Sequence, residues 1–420
     1  MTSSSSMQFS MGRRWVIFCS VFFLGVLTSF GMFKAPTMFT TEFTTELGFT
    51  ESNIGWVMSM FTLIGAVLAF PAGGILAKLG AKKSLIITAV SLIVGAAGGA
   101  LATSATLMLA TRFIEGIGMG LISVVGPAAV ASIIPARKQG LAMGIWSVWF
   151  PAGVVLAFNV TPFVYALAGS WRANWWLSAI LAVAALVFII AVYATPPQEQ
   201  AASTAEAAEA GSKPLSLKPD FFSIVMIALA FGCWNVFNAG AIGGFYPSYL
   251  ADAHQLDTQL SGTVSSITNI LVLALGPISG IVADKYDIHK GFIVFGMFGA
   301  AALLTFAFGD SMALVWVFVI AMSLFSACCS TGVFSSVPLY AKDPSKVGLG
   351  MAIVAFFQNL GGLIGSAAFG TLAVSLGWSM ASLAFCMPVA LVGGICALLI
   401  RNRSTKGKAG AEAKVEALGA

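Results

Sequence analysis

Three ionisable side chains fall inside long apolar runs: Lys34, Arg112 and Glu115. A charge at the centre of a membrane helix costs at least about 2.5–3.5 kcal/mol, so such a group survives by pairing or by facing water. Arg112 and Glu115 are three residues apart and therefore share a helix face. Arg112 lies roughly 9 Å inside its run at 1.5 Å per residue, deep enough to reach a central cavity. Two roles are open to it: a bidentate grip on an anion, or a structural pair with Glu115. Glu115 is correspondingly a proton carrier or a fixed counter-ion. Lys34 falls near the far edge of the first run. There it is either a second cation at the cavity mouth or a side chain that reaches the interface.

Polar side chains in later apolar runs mark a candidate pathway: Asn235, Asn238, Tyr246, Tyr249, Asn269, Gln358 and Asn359. Such amides also bond neighbouring helices. Trp146 and Trp149 are one helical turn apart and either wall a cavity or simply pack. No phosphate-binding loop, base-linked carboxylate pair or Ser/His/Asp set occurs, so the reading is not an enzyme, and any energy must come from an ion gradient. No cofactor is expected. The six cysteines all sit in apolar runs without Cys-x-x-Cys spacing and read as small buried residues.

The elements that must position these groups follow from composition. Hydrophobic residues make up 58% and charged residues 9%, with mean hydropathy +0.94. A soluble surface needs about a quarter charged residues, so lipid must solvate most side chains. At about 20 apolar residues per crossing, the chain is expected to be an all-α membrane protein of twelve transmembrane helices in two pseudo-symmetric six-helix bundles. Expected segments are a disordered stretch 1–13, a first bundle 14–195, a linker 196–219, a second bundle 220–400 and a tail 401–420. The first span is expected over about 15–39, and no signal peptide is apparent. Alternating sides along the chain puts all but three of the 21 Lys and Arg on one side, the exceptions being Lys34, Arg112 and Arg172. Both ends are then cytoplasmic and the chain is a multi-pass cell-membrane protein. The net charge of +5 is no nucleic-acid signal.

Two elbows mark the duplication. GGILAKLGAKK at 73–83 and GIVADKYDIHK at 280–290 each follow an apolar run and end in cations. KQGLAMGIWSVWFPAG (138–153) aligns without gaps to KVGLGMAIVAFFQNLG (346–361), and Gly55 and Ser59 match Gly262 and Ser266. Parallel six-span halves place a binding site between them at mid-depth.

These elbows resemble the loop between spans 2 and 3 of the major facilitator superfamily. Gly73, Lys78, Gly80, Lys82 and Lys83 match the first copy, with Ala77 in place of its acid. The second copy keeps Gly280, Asp284, Lys285 and Lys290, with Asp287 in place of the second glycine. Arg112 with Gly116 resembles the family's Arg-x-x-x-Gly at the head of span 4. The resemblance covers about 14–400. It implies alternating access and a cytoplasmic gate at the elbow residues, one-sided here because only Asp284 can reach the start of span 5, near Gly140 and Leu141. Phe33-Lys34-Ala35-Pro36 and the Glu-Leu-Gly-Phe at 46–49 resemble branches that carry small anions (monocarboxylate, oxalate and cyanate). Nitrate is set aside because spans 2 and 8 hold no Arg. The expected activity is proton-coupled symport of a small anion, an organic carboxylate, by a monomer. Its partners are the anion, protons and the bilayer. The proposed grip is Arg112, Lys34 and the pathway side chains, with Glu115 coupling the proton. Export of hydrophobic compounds and a non-transporting receptor are the alternatives.

Overall fold

In the computed structural model, the described residues are 10–34, 39–50, 52–134, 142, 145, 146, 148–193, 219–340 and 344–401. The linker, both outermost segments and the start of the fifth span lie outside them, as does the expected partner of Asp284 at Gly140 and Leu141. The first bundle holds α1 (Met11–Phe33), α2 (Thr40–Leu47), α3 (Trp56–Leu68), α4 (Pro71–Ala100), α5 (Ala105–Ile133), α6 (Trp149–Ala168) and α7 (Arg172–Val192). The second holds α8 (Pro219–Asn235), a π-helical stretch Val236–Ile242, α9 (Gly243–His254), α10 (Thr258–Tyr286), α11 (His289–Leu303), α12 (Met312–Tyr340) and α13 (Pro344–Leu376). It closes with α14 (Trp378–Ala381), a second π-helical stretch Ser382–Cys386 and α15 (Met387–Leu399). Among the described residues, ten helices are long and apolar enough to cross a membrane, and Trp56–Leu68 and His289–Leu303 are shorter apolar helices. The end carrying residues 11 and 399 is termed here the terminal face, and the opposite end the distal face.

The halves repeat each other in packing. α1 lies on α6 as α8 lies on α13, and α3 lies on α5 as α10 lies on α12. Between halves, α3 meets α13 and α6 meets α10. The duplicated glycines explain how these two seams close at the distal face. A Cβ at Gly55 would collide with the carbonyl of Ser366, and one at Gly262 with the carbonyl of Phe158. Absence of a side chain lets the backbones touch. Pro162 lies four residues after Phe158 and has no N–H to give that carbonyl, which leaves it facing α10.

The elbow is almost entirely helical. Only Gly80 breaks α4, with φ 75°. Its counterpart Asp287, where the second copy lacks glycine, has φ 57° and ends α10 in the same left-handed region. Aspartate tolerates that region better than most residues. The basic side chains here serve helix ends. Lys82 donates to the carbonyl of Ile190 at the end of α7 (3.2 Å), and Lys290 to that of Leu398 at the end of α15 (2.9 Å). Last-turn carbonyls lack intrahelical partners and carry the negative end of the helix dipole. These two elbow lysines therefore brace their own bundles instead of bridging the halves. Lys78, Lys83 and Lys285 are exposed.

The first span departs from expectation. α1 stops at Phe33, and the chain forms the short helix α2 across the distal face instead of continuing to residue 39. α2 buries Phe43 and Leu47, with Phe43 edge-on to Trp171 at 4.7 Å. Tyr165 donates to Glu42 (2.6 Å), while Trp171 Nε1 (3.2 Å) and Arg172 donate to Glu46. Cys19 is exposed and Cys233 and Cys396 only half-buried, so the expectation of six buried thiols holds for three of them.

Candidate functional site

Arg112 stands seven residues into α5, which starts behind an N-cap at Ser104 whose side chain accepts from the Leu107 N–H. Its guanidinium is wholly buried. Nη1 donates to the Gly31 carbonyl (2.7 Å) and to Glu115, Nη2 to the Met32 carbonyl (2.9 Å), and Nε to the Val57 carbonyl (3.1 Å). Gly31 and Met32 belong to the last turn of α1, so Arg112 caps that helix from another span and ties it to α3. Four of the five N–H groups of a guanidinium are thereby used. The arrangement is that of a structural pin, and in this conformation the guanidinium offers no open face to a passenger.

Lys34 is the C-cap residue of α1 and is also wholly buried. The expectation of an interfacial side chain fails: its ammonium pairs with Glu115, lies 3.4 Å from Ser178 Oγ and sits 4.8 Å from the ring centre of Trp175. The helix ends at Phe33, and α2 turns the chain across the distal face, so Lys34 points into the bundle. Glu115 thus accepts from two cations, one on each carboxylate oxygen. With all three ionised, the cluster carries one net positive charge. Neutralising Lys34 leaves the balanced pair Arg112–Glu115.

The other candidates divide. Tyr246 is buried within the second bundle, donating to the Ala307 carbonyl (3.0 Å) among Tyr249, Phe308 and Phe318. Tyr249 likewise bonds Gly309 and His254. Asn235 is buried and returns its amide to Phe231 of its own helix (2.8 Å). Trp146 and Trp149 stack at 5.8 Å, with Trp146 wedged against Gly25 of α1 and Gly126 of α5, so they pack the first bundle instead of walling a cavity. Asn359 donates to Ala355 (2.8 Å), and its Oδ1, without a hydrogen-bond partner among the described residues, faces Gly65 across the seam. Asn238, Asn269 and Gln358 keep partial exposure on the spans of the second half. Gly73, Gly280 and Asp284 stand at the expected turns of α4 and α10.

Sequence reasoning passed over Asn159. Its amide donates to Ser266 Oγ (3.0 Å), its Oδ1 accepts from Thr263 (2.9 Å), and its backbone carbonyl accepts from Gln259 (3.3 Å). This network zips α6 to α10 directly above the Gly262 contact. The opposite seam uses the hydroxyl pair Ser59–Ser366 (2.7 Å). A lone Asn in a span was the available signal.

The attachment of α2 is expected to weaken in acid. The hydrogen bond from Arg172 holds the Glu46 carboxyl below its ordinary range, assisted by Trp171. A depressed acid contributes stability above its unfolded value and loses it as pH falls through the folded one. The pinning is therefore intact at neutral pH and is released below the ordinary value of 4.5. Limited proteolysis at residues 40–47 should accelerate only in that acid window, and Glu46→Gln should accelerate it at pH 7.

Sequence and structure comparisons agree with this architecture. The Major Facilitator Superfamily model matches residues 21–241 and 232–419. The arabinose-proton symporter of Escherichia coli is 30% identical over 141 residues, 34% of this chain and only 29% of that protein. A Bacillus subtilis protein named for niacin and nicotinamide transport is 23% identical, covering 86% of this chain and 89% of its own. A Staphylococcus carnosus protein named for nitrate transport is 25% identical over 76% and 78%. The solved xylose transporter of Escherichia coli superposes with TM-score 0.73 at 18% identity, over 94% of this chain and 99% of that one. Twinned six-span bundles, seams of α3 on α13 and α6 on α10, and a matching family model lead to one conclusion: the chain belongs to the Major Facilitator Superfamily, a family of membrane transporters and not of enzymes.

Proposed function

We propose that the chain is a secondary transporter that carries a small organic anion, most simply a carboxylate, together with protons. Its two bundles rock about a site near the midplane, with the terminal face in the cytoplasm, where nearly all Lys and Arg collect. The observation that carries the reading is the buried cluster of Lys34, Glu115 and Arg112. The surplus positive charge in this buried site is relieved in two ways: an anion comes close, or Lys34 gives up its proton. Those two events are alternatives, and that competition links proton to passenger. Arg112, fully engaged, holds the frame while Lys34 carries the proton. Asn238, Asn269 and Gln358 are the polar contacts left for the passenger. The relative named for niacin, a carboxylate at neutral pH, supports this class. The missing Arg in α3 and α10 argues against nitrate.

Proteoliposomes should accumulate labelled nicotinate, or another member of a carboxylate panel, when the proton gradient points inward. Lys34→Met should lower gradient-driven accumulation by at least about tenfold. Uptake of every carboxylate that ignores both the gradient and Lys34→Met would remove the reading.

Export of hydrophobic compounds remains a second reading, on one observation. An open apolar groove of about 400 Å³ where α1, α6 and α10 meet is lined by Phe22, Phe23, Val26, Val155 and Leu273. A drug-sensitivity panel on a deletion strain distinguishes the two.

A further inference from the structure

We infer that α6 and α7 carry a hydrated proton route from the distal face to Lys34, with Thr161 and Asn174 at its narrow point. The inference deepens the proton-coupled reading and rests on it.

The two helices offer a continuous line of polar side chains. Tyr165, part-buried, donates to Glu42 of the lid at the distal end (2.6 Å). Thr161 is four residues earlier on α6 and so lies on the same face, one turn deeper. Asn174 of α7 crosses to α6 by donating to the Thr161 carbonyl (3.1 Å). Ser178 is one turn below Asn174 on α7, and its Oγ is 3.4 Å from Lys34 Nζ. The flanking helices add the uncharged polar side chains of Thr28, Ser29 and Thr111. The charged and titratable groups they bring here are Glu42 and Tyr165 at one end, Lys34, Glu115 and Arg112 at the other, and the Glu46–Arg172 pair on the lid rim.

Two atoms on this line point to what occupies it. Thr161 Oγ1 and Asn174 Oδ1 are both buried and have no hydrogen-bond partner among the described residues. Leaving such a group unsatisfied costs about 1–3 kcal/mol, and a buried water satisfies about three groups at once. Lys34 has three N–H donors, two of which meet Glu115 and Ser178. Water held by Thr161 Oγ1 and Asn174 Oδ1 completes a chain of hydroxyls and water in which each hydroxyl or water oxygen accepts one proton and passes on another, while the Asn174 carbonyl oxygen only accepts a hydrogen bond and anchors the water. One proton taken from solvent under the lid arrives on the neutral Lys34 amine, and the reverse movement returns it.

The test uses Trp175, whose ring lies against the Lys34 ammonium and reports its charge. A pH jump on the purified full-length protein, followed by tryptophan fluorescence in a stopped-flow instrument, should show one component that disappears in Trp175→Phe and in Lys34→Met. In Thr161→Val, which keeps the shape and removes the hydroxyl, that component should keep its amplitude and slow by at least about tenfold. Thr161→Ser should restore the rate, which a general loosening of the fold would not do. An unchanged rate in Thr161→Val overturns the route while the coupling reading stands. No component assignable to Lys34 in the wild type overturns both.

Discussion

Glu115→Gln should be the most damaging single substitution in the first bundle, worse than loss of either cation it serves. The carboxylate is the one negative charge between two buried cations. Replacing it with an amide leaves Lys34 and Arg112 as uncompensated like charges in a fully buried site. Removing one partner of a buried ion pair costs about 3–5 kcal/mol because the remaining charge is stranded. Lys34→Met, in contrast, leaves Arg112 and Glu115 as a neutral, hydrogen-bonded pair and should purify normally. The double variant Lys34→Met, Glu115→Gln should regain part of the lost stability, since only one stranded charge remains. Thermal unfolding of the three variants in detergent orders them. A Glu115→Gln protein as stable as the wild type would mean that the cluster does not carry the charges assigned to it.

Gly262→Ala and Gly55→Ala should each open the distal end of the molecule. At both positions one methyl group lands on a backbone carbonyl, of Phe158 or of Ser366. A carbonyl cannot rotate away as a side chain can, so a whole helix must move. Overpacking of this kind costs about 1–3 kcal/mol, or about one to two powers of ten in the balance between closed and open distal ends. Spin labels at the exposed positions Thr45 and Leu260, on opposite halves, should report a longer mean distance in either variant. Gly262→Ala should have the larger effect, because its displacement also pulls Thr263 and Ser266 off Asn159. Unchanged distances in both variants would show that the seam tolerates a Cβ and that these glycines do not set the closure.

Much of the fold was legible because its signals are local. Apolar runs of membrane length, the linker composition and the echo of one elbow in the other define twelve crossings and two halves without reference to contacts. The glycine pair 55 and 262 was visible as a repeat, although its purpose was not. Lys34, Arg112 and Glu115 were visible as well, because charge inside an apolar run is conspicuous wherever it falls. Their roles were less legible. Residue spacing placed Arg112 and Glu115 on one face and led to a guanidinium aimed at a passenger. In the molecule most of its donors go to the end of α1 and the start of α3.

What the amino-acid order determined alone is the solvent, the crossings, the duplication and the inventory of buried charge. Tertiary structure decided which partners that charge meets. A helix end leaves its last carbonyls unpaired, and nothing in the neighbouring residues says which distant side chain will satisfy them. Arg112 does so for α1, and Lys82 and Lys290 do so for the last spans of the two halves. The early stop of α1 likewise put Lys34, expected either at the interface or at the cavity mouth, at the centre of the cluster, because periodicity reports a face but not where a helix ends or what lies opposite.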